Sequence, residues 1–333
     1  MVTIREVAQL AGVSPSTVSH VINGTRFVSA DARGRVRTAM EQLGYRPNAL
    51  ARSLRRGETL TLGMILPDSA NPFFAEVGHH IEQAAFEAGY NVVLCNTEGD
   101  LEKERLYVDL LLEKQVDGII FVAAGDRSES VAALVQTGVP LVIVDRDLKD
   151  VPADTVLTDN LQGGYLGTRH LIEAGHERIA CITGPSHLTP SADRVTGYRR
   201  ALAEAGIPVD ENLLLRGDFH AQSGELAALQ LLTGPRPPSA ILACNDMMAI
   251  GVLHAASRLG LRVPADLAVI GYDDIELASF AVPSLTTVAQ PKEHMAETAL
   301  RWIVERTQDG AGEARRLVLP VTLIERDSSG RKR

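Results

Sequence analysis

The sequence predicts an all-α helix-turn-helix head followed by an α/β body whose parallel sheets are flanked by helices. Three observations predict this fold class. The first 60 residues contain three short helical patterns separated by turns. From Leu60 onwards, apolar strand-like runs alternate with amphipathic helical stretches, as in βαβ units. The net charge changes at the same point, from +5 in residues 1–60 to −14 in the remainder.

The bulk composition indicates a globular protein of two or three domains. The chain has 333 residues, 45% of them hydrophobic and 23% charged. No apolar run approaches the roughly 20 residues that span a bilayer, and the N-terminus lacks the apolar stretch of a signal peptide. We therefore expect a cytoplasmic protein with no membrane partner. Cys95, Cys181 and Cys244 lie far apart in apolar runs without metal-ligand spacing, which predicts buried core thiols and no metal or cofactor.

The head begins with a capping box. Thr3 is expected to cap a helix whose third residue is Glu6, and Gly12 to end that helix. Ser14 caps the next helix with a proline at its first position, where a missing N–H costs nothing. A third helix is predicted from about Asp31 to Leu43. A small basic head of this kind can contact phosphate, whereas the acidic body is repelled by it.

Residues 45–57 read YRPNALARSLRRG and predict a conditionally ordered linker. Pro47 can begin a helix and Gly57 can end it, but two or three turns are marginally stable alone in water. The apolar strip formed by Ala49, Leu50 and Leu54 must find a partner.

The body contains too many βαβ units for one sheet, so two α/β lobes are expected. Its strand-like runs are TLGMILP, NVVLCN, GIIFVAA, PLVIVD, RIACITG, SAILACN and LAVIGYDD. Ligands of such folds bind beyond the carboxyl ends of the strands, and that is where site residues are expected.

A family resemblance is carried by three N-terminal segments, TIREVAQLAGVSPSTVSHVIN, YRPNALARSLRRG and TLGMILPDSANPFF. They closely resemble the start of the lactose-repressor (LacI/GalR) family of bacterial transcription regulators. The likeness continues in the family's order through RIACITGP, ACNDMMAIG, VIGYDDIELASF and LTTVAQPKEHMAE, and covers essentially the whole chain. Within the family, NVVLCNTEGD, HERIACITGP and GYDDIELASF look most like the ribose-operon type.

The resemblance implies a body similar to periplasmic sugar-binding proteins, with two lobes joined by several crossings. The implied domains are a helix-turn-helix head in 1–46, a hinge in 47–59 and an effector-binding and dimerisation domain in 60–333. The N-lobe is expected in about 60–161 and 291–320, and the C-lobe in about 162–290 and 321–333.

The second helix of a helix-turn-helix unit lies in the major groove with its N-terminal residues at base edges. Pro15, Ser16, Thr17 and His20 are selected for contact with the bases, and the hydroxyl groups among them can donate or accept at several bases. Ser19 and Asn23 are better suited to phosphate. A solvated polar face is the alternative interpretation, and the family implies a further contact just beyond the helix. The predicted contacts are Pro15, Ser16, Thr17, Ser19, His20, Asn23 and Arg26.

The family also implies a role for Leu54 in the hinge. In relatives the leucine at this place wedges into the minor groove at the operator centre, one copy from each subunit, and kinks the duplex. Arg55 beside it is suited to phosphate or minor-groove contact. Packing of Leu54 on Leu50 is compatible with both roles. Two heads held together give a near-palindromic operator site, so a homodimer is expected.

The candidate ligand site combines aromatic residues with charged and amide groups at strand ends, as a sugar requires. Ten positions match, in order, the set that similar periplasmic ribose-binding proteins use around the sugar. Asp246 and Asp274, at two of the same strand ends, are interpreted as helix caps. The ten are Asn71, Phe73, Phe74, Asp145, Arg146, Arg194, Phe219, Asn245, Asp273 and Gln290.

Ribose is the expected effector, with another pentose or a small hexose as the near alternative. Purine-type repressors, which are similar over the first 60 residues, need an arginine in the loop after the ITGP strand. Here that loop reads GPSHLTPSADR, with Leu188 at the corresponding place. In the ribose-type mechanism the sugar closes the cleft, separates the two hinges and lowers operator affinity; purine-type relatives respond in the opposite direction.

Three other functions remain to be distinguished. A transport-type sugar-binding protein fits residues 60–330 but leaves the basic head unexplained. An enzyme is not expected, because GxSxG, P-loop, GxGxxG and HExxH motifs are absent and the GGYLG of residues 163–167 only starts a helix. A phosphorylated protein partner, as in catabolite-control relatives, stays open.

Overall fold

The computed structural model describes residues 2–45, 58–122, 125, 129–148, 151–185, 188–310 and 312–330. The chain divides into two compact units, Met1–Thr59 and Leu60–Arg333. The predictions for the hinge, including Leu54 and Arg55, lie outside the described residues.

The head is formed by three helices, α1 (Ile4–Ala11), α2 (Pro15–Asn23) and α3 (Ala30–Leu43). The capping box of Thr3 and Glu6 forms at α1, which confirms the prediction from the sequence. The third helix begins one residue earlier than expected, because Ser29 caps it by accepting from the amide of Ala32. One apolar cluster holds the head together, and its buried members are Val7, Ala8, Ala11, Val18, Val36 and Ala39.

The body alternates strands and helices over its whole length. Its strands are β1 (Thr61–Leu66), β2 (Asn91–Asn96), β3 (Gly118–Phe121), β4 (Leu141–Val144), β5 (Asp154–Thr158), β6 (Ile179–Thr183), β7 (Leu214–Arg216), β8 (Ala240–Ala243), β9 (Ala268–Asp273), β10 (Thr286–Ala289), β11 (Arg316–Leu319) and β12 (Thr322–Ile324). Its helices are α4 (Pro72–Glu87), α5 (Leu101–Glu113), α6 (Glu129–Gln136), α7 (Asn160–Glu173), α8 (Thr189–Glu204), α9 (Ala221–Leu232), α10 (Asp246–Arg258), α11 (Glu276–Phe280) and α12 (Lys292–Asp309).

Within the described residues, the strands form two six-stranded sheets. The first has the order β11-β5-β4-β3-β1-β2, and its pairs are parallel. The second has the order β12-β10-β9-β8-β6-β7 and is parallel except for β12, which runs antiparallel to β10. Two sheets with covered faces confirm the predicted fold class of a two-lobed α/β body.

In the part of the body that the structure describes, the chain passes between the two sheets three times. The first passage joins β5 to α7, the second joins β10 to α12, and the third joins β11 to β12. After the second passage α12 packs against α4 and β4 of the first sheet. Arg306 near its end and Arg315 beyond it both bind the buried carboxylate of Asp154, with N–O distances of 2.8 and 2.7 Å.

Helices α7 and α8 approach each other at backbone distance through glycine. A Cβ on Gly164 would lie 2.0 Å from the carbonyl oxygen of Arg194, and one on Gly197 would lie 2.0 Å from that of Leu161. The GGYLG segment of residues 163–167 lies within α7, and its Gly164 allows this close packing because glycine has no Cβ.

The three cysteines are free and buried, as expected. Cys95 and Cys181 lie on strands, whereas Cys244 lies one residue beyond β8. No helix among the described residues is long and apolar enough to cross a membrane. Over the same residues, no group of three or more His, Cys, Asp or Glu side chains is arranged to hold a metal ion.

Candidate functional site

The start of α2 presents a compact array of hydroxyl groups. The Ser14 hydroxyl accepts from the amide of Thr17 at 3.1 Å, and it lies 2.7 Å from the Ser16 hydroxyl and 2.8 Å from the Thr17 hydroxyl. Pro15 and Ser16 are exposed, and Thr17 is half-buried. Since Val18 is fully buried in the head core, this edge of α2 faces away from that core.

The second half of α2 carries the other predicted polar positions. His20 is half-buried, and its Nδ1 lies 2.8 Å from the Thr25 hydroxyl in the loop that follows. Asn23 donates to the backbone oxygen of Ser19 at 2.8 Å, so one of its hydrogens is used inside the helix. The contact between His20 and Thr25 connects α2 to the loop that carries Arg26.

The loop after α2 exposes two large side chains. Arg26 is exposed, as a base or phosphate contact requires. Phe27 beside it has 93% of its surface exposed, which is unusual for an aromatic side chain. Phe27 is not among the residues predicted from the sequence, although its position directly after Arg26 could have indicated it.

In the body, the loop between β1 and α4 brings two aromatic rings together. Asn71 caps α4, since its Oδ1 accepts from the amide of Phe73 at 3.0 Å. The rings of Phe73 and Phe74 meet edge to face, with centroids 5.1 Å apart. The guanidinium of Arg146, at the end of another strand of this sheet, lies 5.8 Å from the Phe74 ring centroid. The predicted aromatic and basic residues of the N-lobe are therefore neighbours.

Asp145 and Arg146 follow β4 directly and are both 4% exposed. Asp145 has a positive φ of 68°, which turns the chain sharply where the strand ends. The two side chains form an ion pair with each other. The Nε of Arg146 is buried without a hydrogen-bond partner in the described structure, so it is a donor that a bound ligand could satisfy.

Arg194 is the centre of the C-lobe part of the site. Its Nε donates to the Asn160 side chain at 2.8 Å. Its Nη1 donates to the carbonyl oxygen of Cys244 and lies 3.7 Å from the Asp273 carboxylate. The Tyr272 ring lies under the guanidinium at 3.6 Å. Arg194 lies in the second turn of α8, because that helix already begins at Thr189.

Gln290 connects this group to the first lobe. Its Nε2 donates to Asp273 at 2.8 Å, and its Oε1 accepts from the Thr158 hydroxyl at 2.6 Å. Thr158 ends β5 and Gln290 follows β10, so the two residues lie on different passages between the sheets. Gln290 therefore lies at a crossing between the lobes.

Burial raises the pKa of Asp273 to about 6, although Arg194 and Gln290 act in the opposite direction. Asp145 raises it further, since two carboxylates repel across the site. Asp145 also acts on Arg194, whose pKa is raised because the surrounding Tyr272, Asp273 and Asp145 outweigh desolvation. The Asp145 carboxylate of the first lobe therefore shifts the pKa values of Asp273 and Arg194 in the second lobe.

Phe219 and Asn245 lie close together at the edge of the second sheet. The Asn245 side chain donates to the backbone oxygen of Phe219 at 2.9 Å, and its Oδ1 caps α10 by accepting from Met248 at 2.9 Å. Phe219 lies three residues beyond β7, not at its end, and has a φ of 72°. A Cβ on Gly184 would lie 2.1 Å from its ring, so a glycine is needed where the ring rests.

Two carboxylates that the sequence analysis interpreted as helix caps have other roles. Asp246 is fully buried, and it accepts from the Thr287 hydroxyl at 2.6 Å and from the amide of Ile275 at 2.9 Å. Asp274 binds Arg326 at 2.7 Å. The cap interpretation was wrong for both, because Asn245 caps α10 and α11 has no side-chain cap.

Three further site residues were missed from the sequence. Thr158 ends β5 and Asn160 begins α7, on either side of Asp159, where the polar strand-end pattern of the other site residues is also present. Tyr272 directly precedes Asp273, but the sequence pattern does not show that its ring lies beneath Arg194.

The body therefore places buried donors, acceptors and aromatic rings between two α/β lobes, an arrangement that suits a small polar ligand. A helix-turn-helix head precedes it. Together they define a ligand-binding, DNA-binding protein.

The comparisons with known proteins give the family. Residues 3–48 match the family described as bacterial regulatory proteins, lacI family, and residues 168–329 match a periplasmic binding protein-like domain. The Ribose operon repressor of Escherichia coli (strain K12) is 44% identical over 330 residues, which cover 99% of this chain and 100% of the relative. The HTH-type transcriptional repressor PurR of Photobacterium profundum is 42% identical over 330 residues, covering 98% of each chain.

Among solved structures, the lac repressor dimer bound to operator and the anti-inducer ONPF is similar, with a TM-score of 0.88. Its sequence is 32% identical, and the match covers 99% of each chain. The chain belongs to the lacI family of bacterial regulatory proteins. It is a DNA-binding transcriptional repressor of that family with a site for a small-molecule effector, and it is not an enzyme.

Proposed function

We propose that this chain is a homodimeric repressor whose operator affinity is lowered by D-ribose. In this proposal the head of residues 1–46 reads operator DNA in the cytoplasm, the hinge of residues 47–59 inserts at the operator centre, and residues 60–333 bind the sugar and form the dimer. The ten predicted pocket positions hold the sugar, and α2 with its following loop reads the bases.

The group formed by Asp145, Arg146, Arg194 and Asp273 is the main support for a sugar. Carboxylates accept from neighbouring hydroxyls, and guanidinium groups donate to the same hydroxyls. The Phe74 ring lies near the Arg146 guanidinium and meets the Phe73 ring edge to face, and these rings offer apolar faces to the C–H groups of a sugar ring. A buried set of this size favours a monosaccharide. The 44% identity to a Ribose operon repressor favours ribose within that class.

A purine corepressor is the second candidate, because the identity to a PurR repressor is 42% over a similar length. The position expected to hold an arginine for that ligand is Leu188, which is 6% exposed and precedes α8 without a side-chain cap. An apolar side chain there has no donor for a purine. This residue supports the sugar over the purine.

Exposed apolar residues support a dimer. In the second lobe Leu277, Phe280 and Val282 are 51%, 72% and 93% exposed, and in the first lobe Phe86 and Leu94 are 74% and 49% exposed. Large exposed apolar residues that lie close together, as Leu277, Phe280 and Val282 do in the sequence, are typical of surfaces that bind another protein. Sedimentation of the free protein at micromolar concentration should give a dimer; a monomer both with and without operator DNA would contradict this part of the proposal.

Two titrations test the effector. Isothermal titration of the purified chain with ribose, arabinose, glucose and hypoxanthine should give binding heat with ribose and none with hypoxanthine. The Asp273→Ala variant should lose the heat, whereas Asp309→Ala, which removes an exposed carboxylate at the end of α12, should retain it. Heat with hypoxanthine alone would favour the purine candidate.

To test whether the effector weakens or strengthens DNA binding, operator DNA is required. A duplex selected from a random-sequence pool by the full-length chain should be a near-palindrome, and its binding can be followed by fluorescence anisotropy. Added ribose should weaken this binding. If ribose strengthens it, the sugar is a corepressor and the proposed direction is wrong.

A further inference from the structure

The loop that follows β9 is held in a strained conformation beside the ligand site. Asp273 and Asp274 have positive φ angles of 108° and 52°, a backbone region that residues with a side chain rarely adopt. Such a conformation persists only where surrounding contacts hold it. Because Asp273 belongs to the candidate ligand site, those contacts determine where its carboxylate lies.

Contacts from the second lobe hold two points of this loop. The amide of Ile275 donates to the buried Asp246 carboxylate at 2.9 Å, and Arg326 binds the Asp274 carboxylate at 2.7 Å. Both partners belong to the same lobe as the loop, so they fix its shape but not its position relative to the other lobe.

The first lobe contributes Glu76, in the second turn of α4. Its Oε1 accepts from the amide of Glu276 at 2.9 Å, and its Oε2 lies 2.8 Å from the Nζ of Lys292. Lys292 begins α12, directly after the second passage between the lobes, and it donates to the carbonyl oxygens of Asp273, at 3.1 Å, and of Asp274. The side chains of Lys292 and Glu76 are only 11% and 27% exposed, so water weakens their attraction less than at an open surface.

Glu76 lies on the same helix as Phe73 and Phe74, within one turn of them. A movement of this helix therefore moves the aromatic rings and Glu76 together. Through Glu76 and Lys292 the same movement reaches the backbone of Asp273, on the opposite side of the ligand site.

We propose that Glu76 and Lys292 are positioning residues that hold the Asp273 loop of one lobe against α4 of the other, and so set the affinity for the effector. We call this pair the interlobe clamp. It deepens the proposed function and rests on it, since it assigns residues outside the ten predicted pocket positions to effector binding. In this proposal the clamp acts on the effector through Asp273.

Three variants of the full-length chain test the clamp. Glu76→Ala removes the acceptor for both the Glu276 amide and Lys292, and it should weaken ribose binding about tenfold, the effect expected from losing hydrogen bonds to a charged group. Glu76→Gln keeps an acceptor for the Glu276 amide and should restore part of the affinity. Glu87→Ala, which removes an exposed carboxylate at the end of the same helix, is the matched control and should bind ribose as the unmodified chain does.

A measurement without ligand tests the contacts of the clamp independently of which effector binds. Hydrogen exchange of the segment around Glu276 should become faster in Glu76→Ala than in Glu87→Ala, because the amide of Glu276 loses its acceptor. If exchange changes as expected but no sugar binds any variant, the proposed effector is wrong and the clamp's geometry stands without its role in affinity. If the unmodified chain binds ribose and Glu76→Ala binds it equally well, the clamp is overturned.

Discussion

At the scale of single residues, Asp273 combines several constraints in one side chain. It is buried, it lies 3.7 Å from Arg194, and it accepts from Gln290. Burial raises its pKa to about 6 in spite of those partners. Its protonation state therefore changes within an accessible pH range, and a sugar hydroxyl donates a stronger hydrogen bond to the ionised carboxylate than to the neutral carboxyl.

The affinity for the effector should consequently depend on pH. Above about pH 6 Asp273 is ionised and accepts charge-assisted hydrogen bonds from the ligand. Below that value the neutral carboxyl accepts only weaker bonds, so affinity falls by up to tenfold for each pH unit. Isothermal titration with ribose from about pH 7.5 down to about pH 5 measures this slope. The Asp273→Asn variant cannot ionise, so its weaker binding should show a flatter profile. Equal affinity of the unmodified chain at both ends of the range would contradict the assignment.

At the scale of secondary-structure elements, the contact between α7 and α8 positions the ligand site. Gly164 in α7 touches the backbone of Arg194 in α8, and Asn160 at the start of α7 accepts from the Arg194 side chain. The spacing of these two helices therefore decides where the guanidinium of Arg194 lies. A glycine is required because any Cβ at this position would meet backbone atoms, which cannot move aside as a flexible side chain can.

The Gly164→Ala substitution should force the two helices apart. We expect a loss of about 2–3 kcal/mol in the free energy of unfolding, as for other overpacked sites, together with weaker ribose binding. Gly34→Ala in the middle of α3 is the matched control, since a Cβ there meets nothing within 4 Å. It should stabilise the head by up to about 1 kcal/mol, because alanine favours helix. Denaturant unfolding of both full-length variants checks this; a stable Gly164→Ala protein with normal binding would show that the contact is not rigid.

At the scale of the whole molecule, the proposed regulation links two binding equilibria that can be measured separately. If ribose weakens operator binding by some factor, operator DNA must weaken ribose binding by the same factor. Anisotropy of labelled operator with and without ribose gives the first factor. Titration of ribose into free and operator-bound repressor gives the second. Unequal factors would show that a further equilibrium, such as dissociation of the dimer, is coupled to both.

The sequence predicted the parts of the fold that depend on neighbouring residues, namely helix ends and the alternation of strands and helices. The caps at Thr3 and Ser14, the glycine at the end of α1 and the alternation of strands and helices are read from neighbouring residues, and the structure shows them. The family resemblance supplied the lobe architecture, which periodicity alone could not give.

The ligand site was less predictable, because its contacts join residues far apart in the chain. The bond from Thr158 to Gln290 spans 132 positions, and the one from Glu76 to Glu276 spans 200. Asp246 and Asp274 follow strands just as Asp145 does, so the sequence offered no signal that their carboxylates bind Thr287 and Arg326. The pattern identified strand ends, but only the packing determines which side chain each of them meets.

The three passages between the sheets have a consequence for how the protein is made. The first sheet is completed by β11, and its face is covered by α12, yet both follow almost the entire second lobe in the sequence. A ribosome therefore synthesises β1 to β5 long before the segment that covers them. Their apolar face stays exposed, or is bound by a chaperone, while roughly 130 further residues are synthesised. A chain interrupted before residue 292 would leave that face permanently open, and aggregation or proteolysis would be its expected fate.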